Sequence, residues 1–201
     1  MRLATYSVLT LATLLAACSR SDSGEAPPQG PDSYRVKFET TKGDFHIDVV
    51  RSWSPIGADR FHQLVKMGYY DTARFFRIVP GFVVQFGIKG DPALDAKWME
   101  ANISDDPPAM PNTPATVTFA KRGEPNTRST QIFINLGDNR RLDSQGFTPF
   151  GRVTEGMGVV AQLHSGYGES PDQMRLRSEG NAYLQRDFPN LDYIKKATIV
   201  N

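Results

Sequence analysis

The most informative segment of the sequence is residues 75–85, which read FFRIVPGFVVQ from Phe75 to Gln85. Its second half belongs to the apolar run Phe82 to Phe86, which predicts a β-strand. Taken singly these residues are ordinary, because Phe82 would be a core side chain and Arg77 a solvated surface arginine. Their joint spacing, together with motifs farther along the chain, changes that interpretation.

The chain on both sides of this segment has the pattern of a β-sheet protein. Val36 and Phe38 alternate with polar residues, turn residues follow at 41–44, and the alternation resumes at 45–49. This order predicts a β-hairpin. Apolar or alternating runs predict further strands at Thr116 to Ala120, Gln131 to Leu136, Thr148 to Val153 and Ile194 to Val200.

Two helices are predicted. The first has Ser54 as a capping residue and Pro55 at its first position, and it ends before Gly68. The second is expected at about Met157 to Ser165. Two helices cannot cover both faces of a large parallel sheet, whereas a closed antiparallel barrel with a helix over each open end fits. Periodicity alone leaves an all-β barrel and a sandwich as alternatives.

Residues 75–85 resemble the signature of the cyclophilin-type peptidyl-prolyl cis-trans isomerases, F-x-R-I/V-x-P-G-F followed by two residues and a glutamine. Later segments resemble the family's other signatures, in the family's order: Pro125-Asn126-Thr127, Ser129 and Gln131 to Ile134, then Leu142-Asp143, Phe147, Phe150 to Val153 and Glu155 to Met157. The resemblance spans Tyr34 to Val200. It implies a mainly β fold, a closed eight-stranded antiparallel β-barrel capped by two α-helices.

The activity that the resemblance implies is rotation about X-Pro peptide bonds, which assists protein folding. Uncatalysed rotation is slow, because resonance gives the peptide bond a barrier of about 18–20 kcal/mol. Twisting the bond localises the lone pair on the prolyl nitrogen, so a donor aimed at that nitrogen stabilises the twisted state selectively. By the resemblance Arg77 is this catalytic donor, and Gln85 orients it.

The remaining site residues implied by the resemblance bind the substrate. Gln131 orients the substrate backbone, and Ala120 and Lys121 run beside the peptide, with main-chain groups pairing to it as an added strand would. The apolar slot for the proline ring is formed by Phe82, Val83, Phe133, Leu142 and Phe147.

Several positions depart from the family pattern. Arg141 stands where many eukaryotic cyclophilins carry a tryptophan that contacts the drug cyclosporin, and Phe147 stands about where they carry a histidine. Val83 replaces a common methionine, and Lys121-Arg122 replaces small or amide residues beside the groove. We therefore expect cyclosporin to bind weakly.

An alternative function is a noncatalytic chaperone or scaffold that binds proline peptides in the cell envelope. The presence of Arg77 argues against it, because a pure binder has no need of this arginine. The histidines, His46, His62 and His164, have no metal-site spacing. Asp105-Asp106, in a proline-rich loop, is interpreted as a solvated turn.

Charge and cysteine content limit the other functions. Lys and Arg (23) nearly balance Asp and Glu (22), so no overall field favours nucleic acid. The single cysteine, Cys18, excludes an intramolecular disulfide and a cysteine-rich zinc site. We expect no metal or cofactor, a monomer, and proline-containing polypeptides as partners.

The N-terminus predicts export and lipid attachment. Arg2 precedes a short apolar stretch that ends in Leu15-Ala16-Ala17-Cys18, which resembles the lipobox of bacterial lipoproteins. The expected division is a signal peptide at 1–17, an acylated Cys18 within a polar linker at 18–33, and the isomerase domain at 34–201. The lipid would anchor the protein to a membrane facing the periplasm. Ser19, rather than aspartate, after the cysteine favours the outer membrane over the inner membrane.

Overall fold

The computed structural model describes residues 27–200. It contains eight β-strands: β1 (Ser33–Thr40), β2 (Gly43–Val50), β3 (Arg77–Val79), β4 (Val83–Phe86), β5 (Thr116–Phe119), β6 (Ile132–Asn135), β7 (Pro149–Glu155) and β8 (Ile194–Val200). All the strand pairs are antiparallel, in the order β3-β4-β6-β5-β7-β2-β1-β8. The mainly β prediction is confirmed, and β1 begins one residue before the predicted domain boundary.

The predicted closure of the barrel is met only in part. The sheet is curled but open, and its edge strands β3 and β8 are not paired with each other in the described chain. An isolated bridge between Arg74 and Tyr193 joins the segments that precede them. β3 has only three residues, and its Ile78 N–H donates to the Gly168 carbonyl oxygen at 3.2 Å. A loop after β7 therefore covers the edge of β3, whereas a closed barrel would require a strand at this position.

The core lies inside the curled sheet, and the β1–β2 hairpin shows how alternation builds it. Phe38 pairs with Phe45 and Val36 with Ile47, and all four side chains are fully buried. The two phenylalanine rings are stacked with centroids 4.9 Å apart. Residues opposite each other on antiparallel strands face the same side, so the register buries the apolar positions as a set.

Five α-helices are present in residues 27–200, so the prediction of two was wrong. They are α1 (Pro55–Lys66), α2 (Pro92–Glu100), α3 (Met157–Val160), α4 (Gln173–Glu179) and α5 (Asn181–Asp187). The predicted second helix is confined to the four residues of α3. Beyond it, the N–H groups of Gln162 and Leu163 donate to carbonyls three residues back rather than four, and the His164 N–H donates to Asp192 at 2.8 Å.

Two of the helices line the main core, and two others form a smaller one. Phe61 of α1 and Val160 of α3 pack with the inward side chains of the sheet. Leu176 of α4 and Leu184 of α5 form a separate buried cluster with Phe76 and other side chains. The predicted first helix is therefore confirmed, and α4 and α5 pack on a cluster separate from the main core.

The N-terminus of α1 differs from the expectation. The Ser54 side chain makes no capping hydrogen bond; its Oγ donates to Asp106 Oδ2 at 2.5 Å. Asp106 itself accepts the N–H groups of Ile56 at 3.0 Å and Gly57 at 2.9 Å. A carboxylate from a distant loop thus satisfies the free amides of the first helical turn.

The predicted signal peptide and Cys18 lie outside the described residues, as does most of the linker. Within residues 27–200, the Gly30 N–H donates to Asp59 and the Asp32 carbonyl accepts from Arg51, both at 2.9 Å. The last residues before β1 therefore lie against the domain. None of the helices in this range combines the length and apolar character that crossing a bilayer requires.

Candidate active site

The strand register places the predicted catalytic residues in one row. Arg77 of β3 pairs with Gln85 of β4, and Gln85 pairs with Phe133 of β6. Directly opposed residues of antiparallel strands project from the same face. The three short strands therefore bring together an arginine, a glutamine and an aromatic ring that lie up to 56 positions apart in the sequence.

A chain of side-chain hydrogen bonds fixes this row. Arg77 Nη1 donates to Gln85 Oε1 at 3.0 Å, and Gln85 Nε2 donates to Gln131 Oε1 at 2.7 Å. Gln85 is buried, with 8% of its surface exposed, whereas Arg77 is half-buried. The structure thus places Gln85 where it can orient Arg77, as the sequence predicted, and Gln131 supports Gln85 in turn.

The five residues predicted to form the apolar slot belong to one cluster, separate from the main core, and Ala120 packs against it. Val83, Phe133 and Leu142 are its buried members, and the partly exposed side chains of Phe82, Ala120 and Phe147 pack against them. The rings of Phe133 and Phe147 meet edge to face, with centroids 5.9 Å apart. This apolar cluster, called the slot below, reaches the protein surface through its partly exposed members. The Arg77 guanidinium carbon lies 5.5 Å from the centroid of the Phe82 ring.

Besides Arg77, two other basic side chains lie over the aromatic rings of the slot. The Arg141 guanidinium carbon is 4.6 Å from the centroid of the Phe82 ring. Lys121 Nζ is 5.4 Å from the centroid of Phe147 and pairs with Asp105 Oδ2 at 3.2 Å. Cation–π contact of this kind holds the rings in place and leaves positive charge beside the slot.

The structure changes one expectation for the peptide-binding segment. The Ala120 N–H donates to the carbonyl oxygen of Gln131 at 2.9 Å. This amide already has a partner within the protein, so it is not free to pair with a substrate strand. Ala120 and Lys121 do lie beside the slot, and the Ala120 side chain packs against the apolar cluster.

A cavity of about 270 Å³ adjoins the slot, and Gln85, Ala120 and Gln131 also line it. Its far wall includes Gln173 and Arg177 of α4. Burial lowers the pKa of the Arg177 guanidinium, an effect that the nearby Asp95 carboxylate opposes. Because Lys121 and Arg122 also line it, the cavity is polar and basic, suited to a polar or acidic side chain.

Sequence reasoning missed several residues around the site. Glu169, which contacts Arg77, and Arg177, on the cavity wall, lie in segments without a recognised motif. The interpretation of Asp105-Asp106 as a solvated turn was wrong, because Asp106 is 4% exposed and pairs with the buried Arg128, Nη2 to Oδ2, at 3.0 Å. The available signal was Arg128 itself, an arginine inside the motif at 125–134.

The histidines take no part in the site. His46 Nδ1 lies 3.3 Å from Glu155, and the rings of His62 and His164 pack edge to face on tyrosines. In residues 27–200, no group of three or more His, Cys, Asp or Glu side chains is placed to hold a metal ion.

The arrangement combines an apolar slot with a permanently charged, forked donor at its edge. An apolar slot can hold a proline ring and remove the adjoining amide from water. A guanidinium N–H can then stabilise the pyramidal nitrogen of a twisted X-Pro bond more than the planar one. No covalent bond has to break, so the geometry provides the groups that amide rotation needs.

Comparisons with known proteins agree with this geometry. The family model described as cyclophilin type peptidyl-prolyl cis-trans isomerase/CLD matches residues 35–179. A peptidyl-prolyl cis-trans isomerase of Arabidopsis thaliana is 32% identical over 153 residues, which are 74% of this chain and 90% of that protein. One of Acinetobacter baylyi is 30% identical over 133 residues, 64% of this chain and 70% of that protein.

A solved structure supports the fold. The crystal structure of a Cryptosporidium parvum cyclophilin type peptidyl-prolyl cis-trans isomerase matches with a TM-score of 0.62 and 23% identity, covering 84% of this chain and 98% of that one. The same protein solved in the presence of the dipeptide Ala-Pro matches with a TM-score of 0.60. With the family model matching most of its length, the chain belongs to the cyclophilin-type peptidyl-prolyl cis-trans isomerase family.

Proposed function

We propose that the chain catalyses cis-trans isomerisation of X-Pro bonds in polypeptides of the bacterial cell envelope. The observation that carries the proposal is the position of Arg77, fixed by Gln85 at 3.0 Å beside the apolar slot of Phe82, Val83, Phe133, Leu142 and Phe147. A related structure was determined in the presence of Ala-Pro, which supports a proline-containing peptide as the ligand. In this role Arg77 and Gln85 are catalytic, and the slot residues bind substrate.

The direct test is to measure isomerisation of a proline-containing peptide by two-dimensional exchange NMR with the full-length chain. We expect the exchange rate to rise in proportion to the protein concentration. The noncatalytic alternative predicts chemical-shift changes that report binding without any increase in the exchange rate. That result would contradict the proposed activity and leave the chain as a proline-peptide-binding chaperone or scaffold.

We further propose that the protein is a lipoprotein held on the periplasmic side of the envelope, with the outer membrane favoured. Support comes from the lipobox-like Leu15-Ala16-Ala17-Cys18 and from Ser19 after the cysteine. A single acyl chain anchors a protein only marginally, so several chains on one residue are needed for stable attachment. The domain would then stand off the membrane on the polar segment that begins at Cys18.

Cys18→Ser is expected to abolish lipid attachment, because the serine hydroxyl cannot replace the acylated sulfur and Cys18 is the only cysteine in the sequence. The measurement is incorporation of a labelled fatty acid and sedimentation with membranes, each compared with the parent chain. Ser19→Ala is the matched control and should leave both readouts unchanged. Labelled Cys18→Ser that still sediments with membranes would refute the lipoprotein assignment.

Cyclosporin is expected to inhibit the isomerase weakly, with a Kd at least about 100-fold above the nanomolar range. The Arg141 guanidinium covers Phe82 at 4.6 Å, so an apolar ligand has to desolvate or displace a charge where a tryptophan would offer a flat surface and a ring donor. Inhibition of isomerisation checks this, and Arg141→Trp should bind the drug more tightly. Nanomolar inhibition of the unmodified protein would contradict the role given to Arg141.

A further inference from the structure

Glu169 contacts the catalytic arginine from a part of the chain that carries no family motif. Arg77 Nε donates to Glu169 Oε1 at 2.6 Å, and Arg77 Nη2 lies 2.5 Å from the same oxygen. The two residues are 92 positions apart. The Glu169 side chain is 62% exposed and that of Arg77 is 25% exposed, so the pair lies at the protein surface beside the slot.

The loop that carries Glu169 is fixed to the sheet. The Gly168 carbonyl oxygen accepts the N–H of Ile78, the residue after Arg77, at 3.2 Å. Gly168 has a φ of +54°, a left-handed conformation that favours glycine, and its own N–H donates to Ser165 at 3.0 Å. Tyr167 packs edge to face on Phe188, with centroids 5.1 Å apart. The fixed backbone of this loop therefore places the Glu169 carboxylate beside Arg77.

Arg77 is held on two different sides of its guanidinium. A guanidinium has five N–H groups in one plane. Glu169 engages the Nε and Nη2 side of this plane, and Gln85 takes one N–H of Nη1. Contacts on two different sides prevent rotation of the fork about its stem. The N–H groups that neither hydrogen bond uses lie in the same plane, so these two partners set their directions.

We propose that Glu169 is a positioning residue, which holds the Arg77 guanidinium in the orientation that reaches the prolyl nitrogen in the twisted state. The proposal rests on the isomerase function proposed above. Gln85 alone would provide a single contact to the long, flexible side chain of Arg77. About 2 kcal/mol of rotamer entropy opposes the ordering of an arginine side chain. A displacement of about 1 Å at a reacting centre can reduce the rate about 100-fold. Glu169 prevents such a displacement before substrate binds.

The test measures isomerisation and peptide affinity on the same preparations of full-length chain. Glu169→Ala is expected to lower kcat about 10- to 100-fold, with peptide Kd within about twofold of the parent value. Glu169→Gln keeps an acceptor oxygen without its charge, and hydrogen bonds to charged groups are about twice as strong as neutral ones, so its loss should be intermediate. Glu155→Ala is the matched control, because Glu155 is also exposed (56%) and pairs with an arginine, Arg35. Its rate should be unchanged.

Two further readouts separate positioning from a merely structural role. The Arg77 Nε–H resonance should be shifted and slow to exchange in the parent chain, and should move toward free-arginine values in Glu169→Ala but not in Glu155→Ala. In an Arg77→Ala background, adding Glu169→Ala should cause no further loss, since the carboxylate acts through the arginine.

Three results would overturn the inference: a rate within about twofold of the parent in Glu169→Ala, a gain in rate, or a loss that persists in the Arg77→Ala background. A gain would mean that Glu169 competes with substrate for Arg77. A parent chain that binds peptide without accelerating exchange would instead refute the proposed function, and with it this role. The parent rate therefore distinguishes the two failures.

Discussion

Arg77→Ala is expected to lower kcat/KM for a proline peptide by about 10²- to 10³-fold, with a loss of peptide affinity of less than about threefold. Arg77 lies at the edge of the apolar slot, over the Phe82 ring, and is not a member of the apolar cluster. Its removal therefore costs stabilisation of the twisted amide and leaves the proline-binding surface intact. Exchange NMR gives the rates, and titration of the same samples gives the affinities.

The expected loss in Arg77→Ala depends on how much of the total lowering of the rotation barrier comes from this one donor. An acceleration of about 10⁵ requires about 7 kcal/mol of differential stabilisation. Loss of one well-placed donor typically costs about 2.7–4 kcal/mol. The remainder must come from desolvation of the amide in the slot and from holding one side of the bond while the other turns. Arg77→Ala should consequently retain measurable activity.

Two comparison variants make the result specific. Arg77→Lys should recover little activity, because a point charge on a flexible stem cannot contact Gln85 and Glu169 at once, as the fork does. Phe147→Ala should weaken peptide binding as well as turnover, because it removes an exposed wall of the slot. Equal losses of rate and affinity in Arg77→Ala would mean that the arginine only holds substrate, and undiminished isomerisation would place the site elsewhere.

Local sequence patterns predicted every strand of the sheet except β3, which carries Arg77. Alternation predicted the hairpin of β1 and β2, and apolar runs predicted β4 to β8 within a few residues. The short β3 was not separated from its surroundings, because three residues show no alternation. The joint spacing of Arg77, Phe82 and Gln85 predicted that these residues act together, and the fold does bring them into contact because they lie in one hairpin.

The helices that were missed had signals too short to stand out. α2 begins with Asp91 capping the N–H groups of Ala93 and Leu94, and α4 has Asp172 in the same role. A cap followed by only seven to nine residues gives a weak amphipathic pattern. Because α4 was missed, Arg177, which it contributes to the cavity beside the slot, was missed as well.

Contacts between distant segments could not be predicted, and they include the supports of the site. Glu169 reaches Arg77 across 92 positions, and Asp106 reaches Ser54 across 52. No local sequence pattern predicts such a pairing, because these two acidic residues differ from solvated ones only in the partners that the fold places beside them. Asp106 follows a second acid and precedes two prolines, which is also typical of a solvated turn.

The second large effect is expected at this buried carboxylate: Asp106→Ala should lower the free energy of unfolding by about 3–5 kcal/mol. Asp106 and Arg128 are each 2% exposed at their side chains and pair at 3.0 Å. Asp106 also accepts from Ser54 Oγ and from the amides of Ile56 and Gly57. The variant would leave a buried cation with weaker compensation and two helix amides without their acceptor.

Asp105 remains as a partner of Arg128, with its Oδ1 3.3 Å from Nε, and it moderates the loss. Asp105 also pairs with Lys121, which lies over Phe147, and the Thr148 hydroxyl donates to the Asp106 carbonyl oxygen at 3.1 Å. The network therefore joins the start of α1 to the wall of the slot. Loss of Asp106 should loosen the Phe147 side of the slot along with the helix.

Thermal and denaturant unfolding of the purified variants would test this prediction, with an expected fall in Tm of roughly 6–20 °C. Asp138→Ala is the matched control, because Asp138 pairs with Arg140 at 2.7 Å where both side chains are more than half exposed; it should cost less than about 1 kcal/mol. Asp106→Ala combined with Arg128→Met should recover part of the stability, since the uncompensated charge is then absent. Equal, small effects of Asp106→Ala and Asp138→Ala would show that the buried pair contributes no more to stability than a surface pair. A double variant less stable than Asp106→Ala alone would show that Arg128 stabilises the fold even without Asp106.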